Sequence, residues 1–188
     1  MTTTLFTNAH IATGEPGSTA ASTLPLQDIL VTDGVFTAFG PGLAQQYEAQ
    51  GGDLAAIEVV DLGGKLVCPP FCDTHLHLDY VFTARKPGAV NESGTLFEGI
   101  QRWSETKSDL TVDEIKQRAK IGIKKEMLHG VQLIRSHADV TDPNLTSLKA
   151  LLELKEELKD TVTLQIVSFP QEGMYSYEGP HGESGAEL

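Results

Sequence analysis

Cysteines, basic residues and long apolar runs are all scarce in this sequence. Cys68 and Cys72 are the two cysteines in 188 residues, too few for the disulfide framework of a small secreted domain, and we expect both to be reduced strand residues. No apolar run approaches the roughly 20 residues that cross a bilayer, and residues 1–4 lack the pattern of a secretory signal. These absences predict a cytoplasmic protein without a membrane partner.

Negative charge dominates the composition. Asp and Glu number 26 against 14 Lys and Arg, which gives a formal net charge of −12. A nucleic-acid-binding protein needs a basic surface, so we exclude nucleic acid as a partner. A free nucleobase carries no phosphate and stays open as a ligand. Hydrophobic residues make up 40% of the chain, enough for a core in one domain, or in one domain and part of another.

Short β-like segments separated by loops occupy residues 1–65. The segments are Leu5–Ile11, Asp28–Thr32 and Val35–Phe39. Asp33 and Gly34, between the last two, form a strong hairpin signal. Residues 13–23 and 40–52 are interpreted as loops rich in Gly, Pro, Ser and Thr, and we predict that both are exposed. The pattern predicts a small β-module.

Strand patterns alternate with helical patterns over residues 66–188. The predicted strands are Leu66–Cys72, which is broken or bulged at Pro69 and Pro70 and resumes toward His75, then Val131–Ser136 and Val162–Phe169. Alternation of this kind implies parallel pairing with right-handed crossovers. We therefore predict a parallel α/β architecture.

Three helices are predicted between and after these strands. The first carries Leu96, Ile100 and Trp103 on one face. The second begins at a capping box of Thr111 and Glu114 and ends at Gly130, and the third begins at Asp142 and Pro143. Ser184 and Glu187 form another capping box. This pattern predicts the start of a helix, but the sequence ends at Leu188, so we expect the chain to be truncated.

The sharpest chemical signal is the segment from Asp73 to Asp79, which reads D-T-H-L-H-L-D directly after an apolar strand. Residues two apart on a strand face the same side, so His75 and His77 can offer both imidazoles to one metal ion. An isolated H-x-H is more often polar surface. Here the strand, the preceding prolines and the flanking aspartates favour half of a metal site, at the strand end where parallel barrels carry their chemistry.

Several segments resemble known enzymes. Residues 67–79 resemble the first barrel strand of the amidohydrolase superfamily, and residues 93–100, 135–140 and 165–173 resemble bacterial cytosine deaminases. The blocks occur in order and at plausible spacing. Residues 1–65 resemble the small β-sandwich of the superfamily in general style.

The resemblance implies an α/β fold: the N-terminal portion of a metal-dependent (β/α)8 barrel, about three βα units, preceded by part of a small β-sandwich. It implies one divalent metal ion, iron or zinc, for which His75 and His77 match the first two ligands. Gln171 matches a glutamine that binds the pyrimidine ring, and Leu96 a residue whose backbone lines the base pocket. The other ligands and the proton-shuttling glutamate have no counterpart, so catalytic residues are expected beyond Leu188.

Metal coordination and barrel size also indicate that the active site is incomplete in this chain. A catalytic zinc site usually has three protein ligands and an open position for water, and two histidines do not supply it. A full barrel needs roughly 250 residues, about twice the length of residues 66–188. We therefore expect the chain alone to be inactive, with a complementary C-terminal half or a homo-oligomer as possible partners.

The predicted reaction is hydrolytic deamination of cytosine or a close nitrogen heterocycle, in which a metal-activated water attacks the amino-bearing carbon and ammonia leaves. Two alternatives stay open. One is an aminohydrolase for another ring, of triazine, isoguanine or creatinine type. The other is a non-catalytic fragment or subunit. His137, at the end of the second predicted strand, is either a support for metal or substrate or a core histidine.

Overall fold

The computed structural model describes residues 2–12, 24–175, 178 and 181–182. The chain forms two compact units, Met1–Pro69 and Pro70–Leu188. The division falls slightly beyond the predicted boundary after residue 65, because Leu66–Val67 still pairs with the first strand. The predicted loop at residues 13–23 and the capping box at Ser184 lie outside the described residues.

The first unit contains a five-stranded sheet in its described part. Its strands are β1 (Thr3–Ile11), β2 (Leu26–Thr32), β3 (Val35–Gly40), β4 (Glu58–Asp61) and β5 (Leu66–Val67). The order is β3-β2-β1-β4, with β5 also on β1. Strands β1, β2 and β3 pair antiparallel, whereas β4 and β5 lie parallel to β1. Asp33 and Gly34 both have positive φ, 48° and 78°, as the tight turn of the predicted hairpin requires.

The prediction of a loop over residues 40–52 is wrong, because helix α1 occupies Leu43–Ala49. Leu43 is buried, and its backbone N–H donates to the Asp28 carboxylate across 2.9 Å. A tertiary hydrogen bond and one buried side chain therefore stabilise a helix of only seven residues, which has too few turns to produce a visible sequence period.

The second unit contains a parallel sheet with the order β6-β7-β8 among its described residues. The strands are β6 (Phe71–Leu76), β7 (Val131–Asp139) and β8 (Thr163–Phe169). Helices α2 (Leu96–Lys107) and α3 (Val112–Leu128) lie between β6 and β7, and α4 (Thr146–Glu157) lies between β7 and β8. The predicted α/β class with parallel pairing is confirmed.

One apolar core joins the helices to the sheet in the second unit. Its fully buried side chains include Leu78, Ile115, Ile134, Leu151 and Leu154. Burying each such side chain contributes about 1.5–3 kcal/mol. The helices therefore hold one face of the sheet firmly, and the residues that alternate with the core positions lie on the opposite face.

The predicted break at Pro69 and Pro70 is confirmed, since no described strand includes either residue. The two pieces join different sheets: Leu66–Val67 pairs with β1, and Phe71–Leu76 pairs with β7. Proline has no N–H to donate to a sheet, so the pair ends one strand and lets the next begin. Of the two cysteines, which are free and exposed, Cys72 lies in β6 and Cys68 between strands.

At the starts of α3 and α4, side chains accept hydrogen bonds from backbone N–H groups that have no acceptor within the helix. Thr111 caps α3 by accepting from the N–H of Glu114, as predicted. The predicted start of α4 at Asp142 and Pro143 is wrong, because the helix begins at Thr146. The Asp142 carboxylate still accepts from the Thr146 N–H at 2.8 Å, so it caps the helix from a loop rather than from the adjacent position. No helix of the described chain is both long and apolar enough to span a membrane.

Candidate active site

The end of β6 carries two histidines on the face opposite the core. Leu76 and Leu78 pack into the core, so the alternating His75 and His77 point away from it. The two ring centres are 5.3 Å apart. Two imidazoles that bind one zinc ion at about 2.0–2.1 Å in tetrahedral geometry have ring centres about 5 Å apart. The pair therefore fits a shared metal ion.

The protonation state of His77 also suits metal binding. Its Nδ1 lies 3.0 Å from the carbonyl oxygen of His137. A carbonyl can only accept, so Nδ1 carries the proton and Nε2 keeps its lone pair. Burial lowers the pKa of His77, and the neighbouring His75 and His137 lower it further, against the opposing effect of the hydrogen bond. The imidazole is therefore held neutral with Nε2 free, the arrangement typical of metal-bound histidines.

His137 lies near the end of β7 and contacts both predicted ligands, and it is not part of the apolar core of the second unit. Its carbonyl orients His77, and its ring stacks on that of His75 with centres 4.0 Å apart. Desolvation by burial, followed by the nearby His75, lowers the pKa of His137. His137 thus supports both predicted ligands. The described residues contain no cluster of three or more His, Cys, Asp or Glu groups arranged to hold a metal ion, so further ligands would come from elsewhere.

A cavity of about 620 Å³ opens beside this histidine pair. Its lining residues are His75, His77, Tyr80, Asn91, Gly94, Thr95, Leu96, Gly99, Ile100, Phe169 and Gln171. The four residues singled out from the sequence, His75, His77, Leu96 and Gln171, thus border one cavity. Leu96 is 74% exposed and borders the cavity at the first residue of α2.

Gln171 follows β8 and is fixed at both its backbone and its side chain. Its N–H donates to the Phe169 carbonyl across 2.9 Å. Its Oε1 accepts from the Tyr80 hydroxyl at 2.7 Å. The sequence interpretation missed Tyr80, which follows the histidine motif by three residues in a segment without periodicity. The signal that could have identified it is its proximity in sequence to the proposed ligands.

A buried carboxylate connects the loops behind the cavity. Asp139 accepts from Trp103 Nε1 at 2.6 Å, from Lys107 Nζ at 3.3 Å and from both the N–H and the hydroxyl of Thr141. Lys107 also binds Glu172 across 2.7 Å. The N–H of Asp139 donates to Asp79, whose pKa burial raises to about 7. The loops after β6, β7 and β8 are thereby joined to α2.

The loop before α2 forms the other wall of the cavity and is organised by Glu98. The Glu98 carboxylate accepts from the N–H groups of Ser93, at 2.6 Å, and Glu92, at 3.1 Å. Hydrogen bonds from Ser93, and then from Glu92, lower the pKa of Glu98 to about 2. Asn91 closes the same loop by accepting from Gly94 and donating to the Thr95 carbonyl.

We expect this loop to loosen in acid. A carboxyl whose pKa is lower in the folded state contributes stability above its unfolded value, and the contribution is lost as pH falls through the folded one. For Glu98 that window runs from the ordinary 4.5 down to about 2. The hydrogen-exchange protection factor of the Ser93 N–H should fall over this range. Glu98→Gln should remove the pH dependence, whereas Glu105→Gln, elsewhere on α2, should retain it; a flat profile in the parent protein would contradict the assignment.

Comparison with known proteins identifies a single family. The model of the amidohydrolase family matches residues 58–187. The chain is 35% identical over 120 residues to N-isopropylammelide isopropyl amidohydrolase of Pseudomonas sp. (strain ADP), covering 62% of this chain and 30% of that protein. It is 27% identical over 152 residues to pterin deaminase of Rhizobium rhizogenes (strain K84 / ATCC BAA-868), covering 78% and 32%.

A solved structure resembles almost the whole chain. The 5-methylcytosine deaminase from Klebsiella pneumoniae, liganded with 5-fluorocytosine, matches with a TM-score of 0.75 and 40% identity over 95% of this chain. That match covers 38% of the Klebsiella chain. The present chain therefore spans between 30% and 38% of the length of these relatives.

Proposed function

Because the chain belongs to the amidohydrolase family, whose members are generally metal-dependent hydrolases, we propose that it carries the N-terminal part of a site for hydrolytic deamination of cytosine or a close nitrogen heterocycle. One observation carries the proposal: His75, His77 and Gln171 border the same cavity of about 620 Å³. That cavity joins a pair of ligands suited to a metal ion with an amide suited to a polar ring.

The chain supplies binding and orientation to this chemistry. In the proposal, His75 and His77 hold one divalent ion, iron or zinc. Such an ion, when bound, lowers the pKa of a water molecule toward neutrality. The His137 carbonyl keeps His77 in the tautomer that binds metal, and Gln171 bonds to the ring. The start of α2, with Leu96, and the Phe169 side chain limit the space around the ring.

Two classes of ring are candidates for the substrate. The 40% identity to a 5-methylcytosine deaminase favours a pyrimidine. The 35% identity to a hydrolase of N-isopropylammelide makes a triazine-type ring the second candidate. Purified protein that includes the remaining barrel strands, loaded with zinc or iron, should show its highest kcat/KM with cytosine or 5-methylcytosine. A higher kcat/KM with an ammelide or a pterin would mean that this ring, and not a pyrimidine, is the substrate.

Gln171→Ala should lower kcat/KM for the preferred pyrimidine without changing metal content. Leaving a polar partner unsatisfied in a partly closed site costs about 1–3 kcal/mol, or roughly 5- to 150-fold in kcat/KM. The measurement is steady-state kinetics beside elemental analysis of the same samples. Gln132→Ala, on an exposed position of β7, is the matched control. Equal kcat/KM in Gln171→Ala and the parent, at equal metal content, would remove Gln171 from the site.

A further inference from the structure

Tyr80 joins the predicted metal ligands to the residue proposed to bind the ring. Its ring stacks on Trp103 with centres 4.3 Å apart and an interplanar angle of 17°. The His77 ring also contacts it, with ring centres 4.5 Å apart and an interplanar angle of 33°. The hydroxyl extends to Oε1 of Gln171 at 2.7 Å. The phenol is therefore fixed by two aromatic neighbours and carries one directed polar contact.

The direction of this hydrogen bond is determined by its atoms. An amide oxygen can only accept, so the Tyr80 hydroxyl donates and Oε1 of Gln171 faces the phenol. A tyrosine hydroxyl ordinarily has a pKa of about 10, so it keeps its donor proton at neutral pH. With Oε1 held by Tyr80, the amino group of the Gln171 amide is left to contact a ligand in the cavity.

The backbone at this position is anchored independently of Tyr80. The Gln171 N–H is bonded to the Phe169 carbonyl. The next residue, Glu172, forms an ion pair with Lys107 at 2.7 Å, and Lys107 also binds the buried Asp139. Since these contacts fix the loop, the Tyr80 hydroxyl acts on the side-chain rotamer of Gln171 and on the direction of its amide.

We propose that Tyr80 is a positioning residue that orients the Gln171 amide, so that the cavity offers N–H donors and selects rings carrying a hydrogen-bond acceptor at that point. Suitable acceptors are a ring carbonyl oxygen, such as the 2-oxo group of cytosine, or an unprotonated ring nitrogen. The inference rests on the proposed function, because it assigns Gln171 to the substrate, and it adds the polarity that the cavity requires of the ring.

A double-mutant cycle separates orientation from a general structural effect. Tyr80→Phe keeps the ring and removes the hydroxyl, and it should lower kcat/KM for the pyrimidine by up to about tenfold, the usual range for one neutral hydrogen bond. In the Gln171→Ala background, Tyr80→Phe should have no further effect. An equal fold-loss in both backgrounds would overturn the proposal. Tyr47→Phe, in the first unit, controls for loss of a phenol elsewhere.

A second variant tests the polarity directly. Gln171→Glu keeps an oxygen acceptor for Tyr80 but has no N–H to donate, so its kcat/KM should fall as far as that of Gln171→Ala. Retained kcat/KM in Gln171→Glu would contradict the donor assignment. If the parent enzyme deaminates no pyrimidine, the proposed function fails. The orientation is still decided by a crystal structure of Tyr80→Phe, in which an unchanged Gln171 amide would overturn it.

Discussion

In protein that includes the remaining barrel strands, replacing His75 and His77 together by alanine is expected to abolish metal binding and with it the proposed deaminase activity. The paired rings, 5.3 Å apart, supply two ligands from one strand, and the double variant has neither of them. Without the ion, the pKa of a water molecule in the site rises from near neutrality toward that of bulk water, so we expect kcat to fall by roughly 10⁴-fold or more. Elemental analysis and steady-state kinetics measure the two effects.

His129→Ala is the matched control for this experiment. His129 is exposed at the end of α3, where its Nδ1 contacts the Lys125 carbonyl at 2.7 Å, and its loss should change neither metal content nor kcat. The single variants should each lose most of the metal. Full metal occupancy in the double variant would refute the assignment of His75 and His77 as ligands, whatever happens to activity.

Local sequence patterns predicted the parts of the fold that depend on local physics. Thr111 and Glu114 predicted the start of α3, and Asp33 with Gly34 predicted the turn between β2 and β3. In each case a single residue type satisfies a nearby backbone group or adopts a positive φ. The parallel sheet was predicted from the alternation of strands and helices, which can be told apart because their apolar residues recur with different periods.

Elements that depend on distant partners could not be predicted in this way. Helix α1 needs the carboxylate of Asp28, which lies 15 residues before Leu43. The start of α4 depends on loop geometry, with Leu145 at a φ of 52°. The sequence around Asp142 is the same whether the helix begins directly after Asp142 or, as observed, four residues later with the Asp142 carboxylate capping it from the loop.

In the candidate site, too, the residues close together in sequence were predicted and those that depend on distant partners were not. The spacing of His75 and His77 identified them as a pair, because two residues on one strand share a face. The support behind them comes from long-range contacts: the His137 carbonyl lies 60 positions from His77, and Tyr80 lies 91 positions from Gln171. Trp103 was predicted on the shared face of a helix with Leu96 and Ile100 and is buried, but its donation to Asp139 could be seen only in the tertiary structure.

Asp139 is the residue of this support whose loss should cost most stability. Its side chain is only 1% exposed and its ion-pair partner Lys107 only 12%. Three residues donate to it: Trp103, Lys107 and Thr141. Lys107 would keep Glu172 as its partner, but removing Asp139 leaves the buried donors of Trp103 and Thr141 without an acceptor, which costs about 2–5 kcal/mol in all. The second unit is therefore expected to lose about that much free energy of unfolding in Asp139→Ala.

The protein's single tryptophan makes this loss measurable. Trp103 packs in the core of the second unit and donates to Asp139 itself, so its fluorescence during denaturant unfolding follows that unit rather than the first. Asp139→Ala should shift the midpoint to lower denaturant concentration, and Asp139→Asn, which keeps one acceptor oxygen, should shift it less. Asp160→Ala, at an exposed position after α4, should change the free energy of unfolding by no more than about 0.5 kcal/mol. Equal midpoints for Asp139→Ala and Asp160→Ala would mean that the hydrogen bonds to Asp139 contribute little, and that the loop carrying Gln171 and the end of β7 with His137 are held mainly by the apolar core.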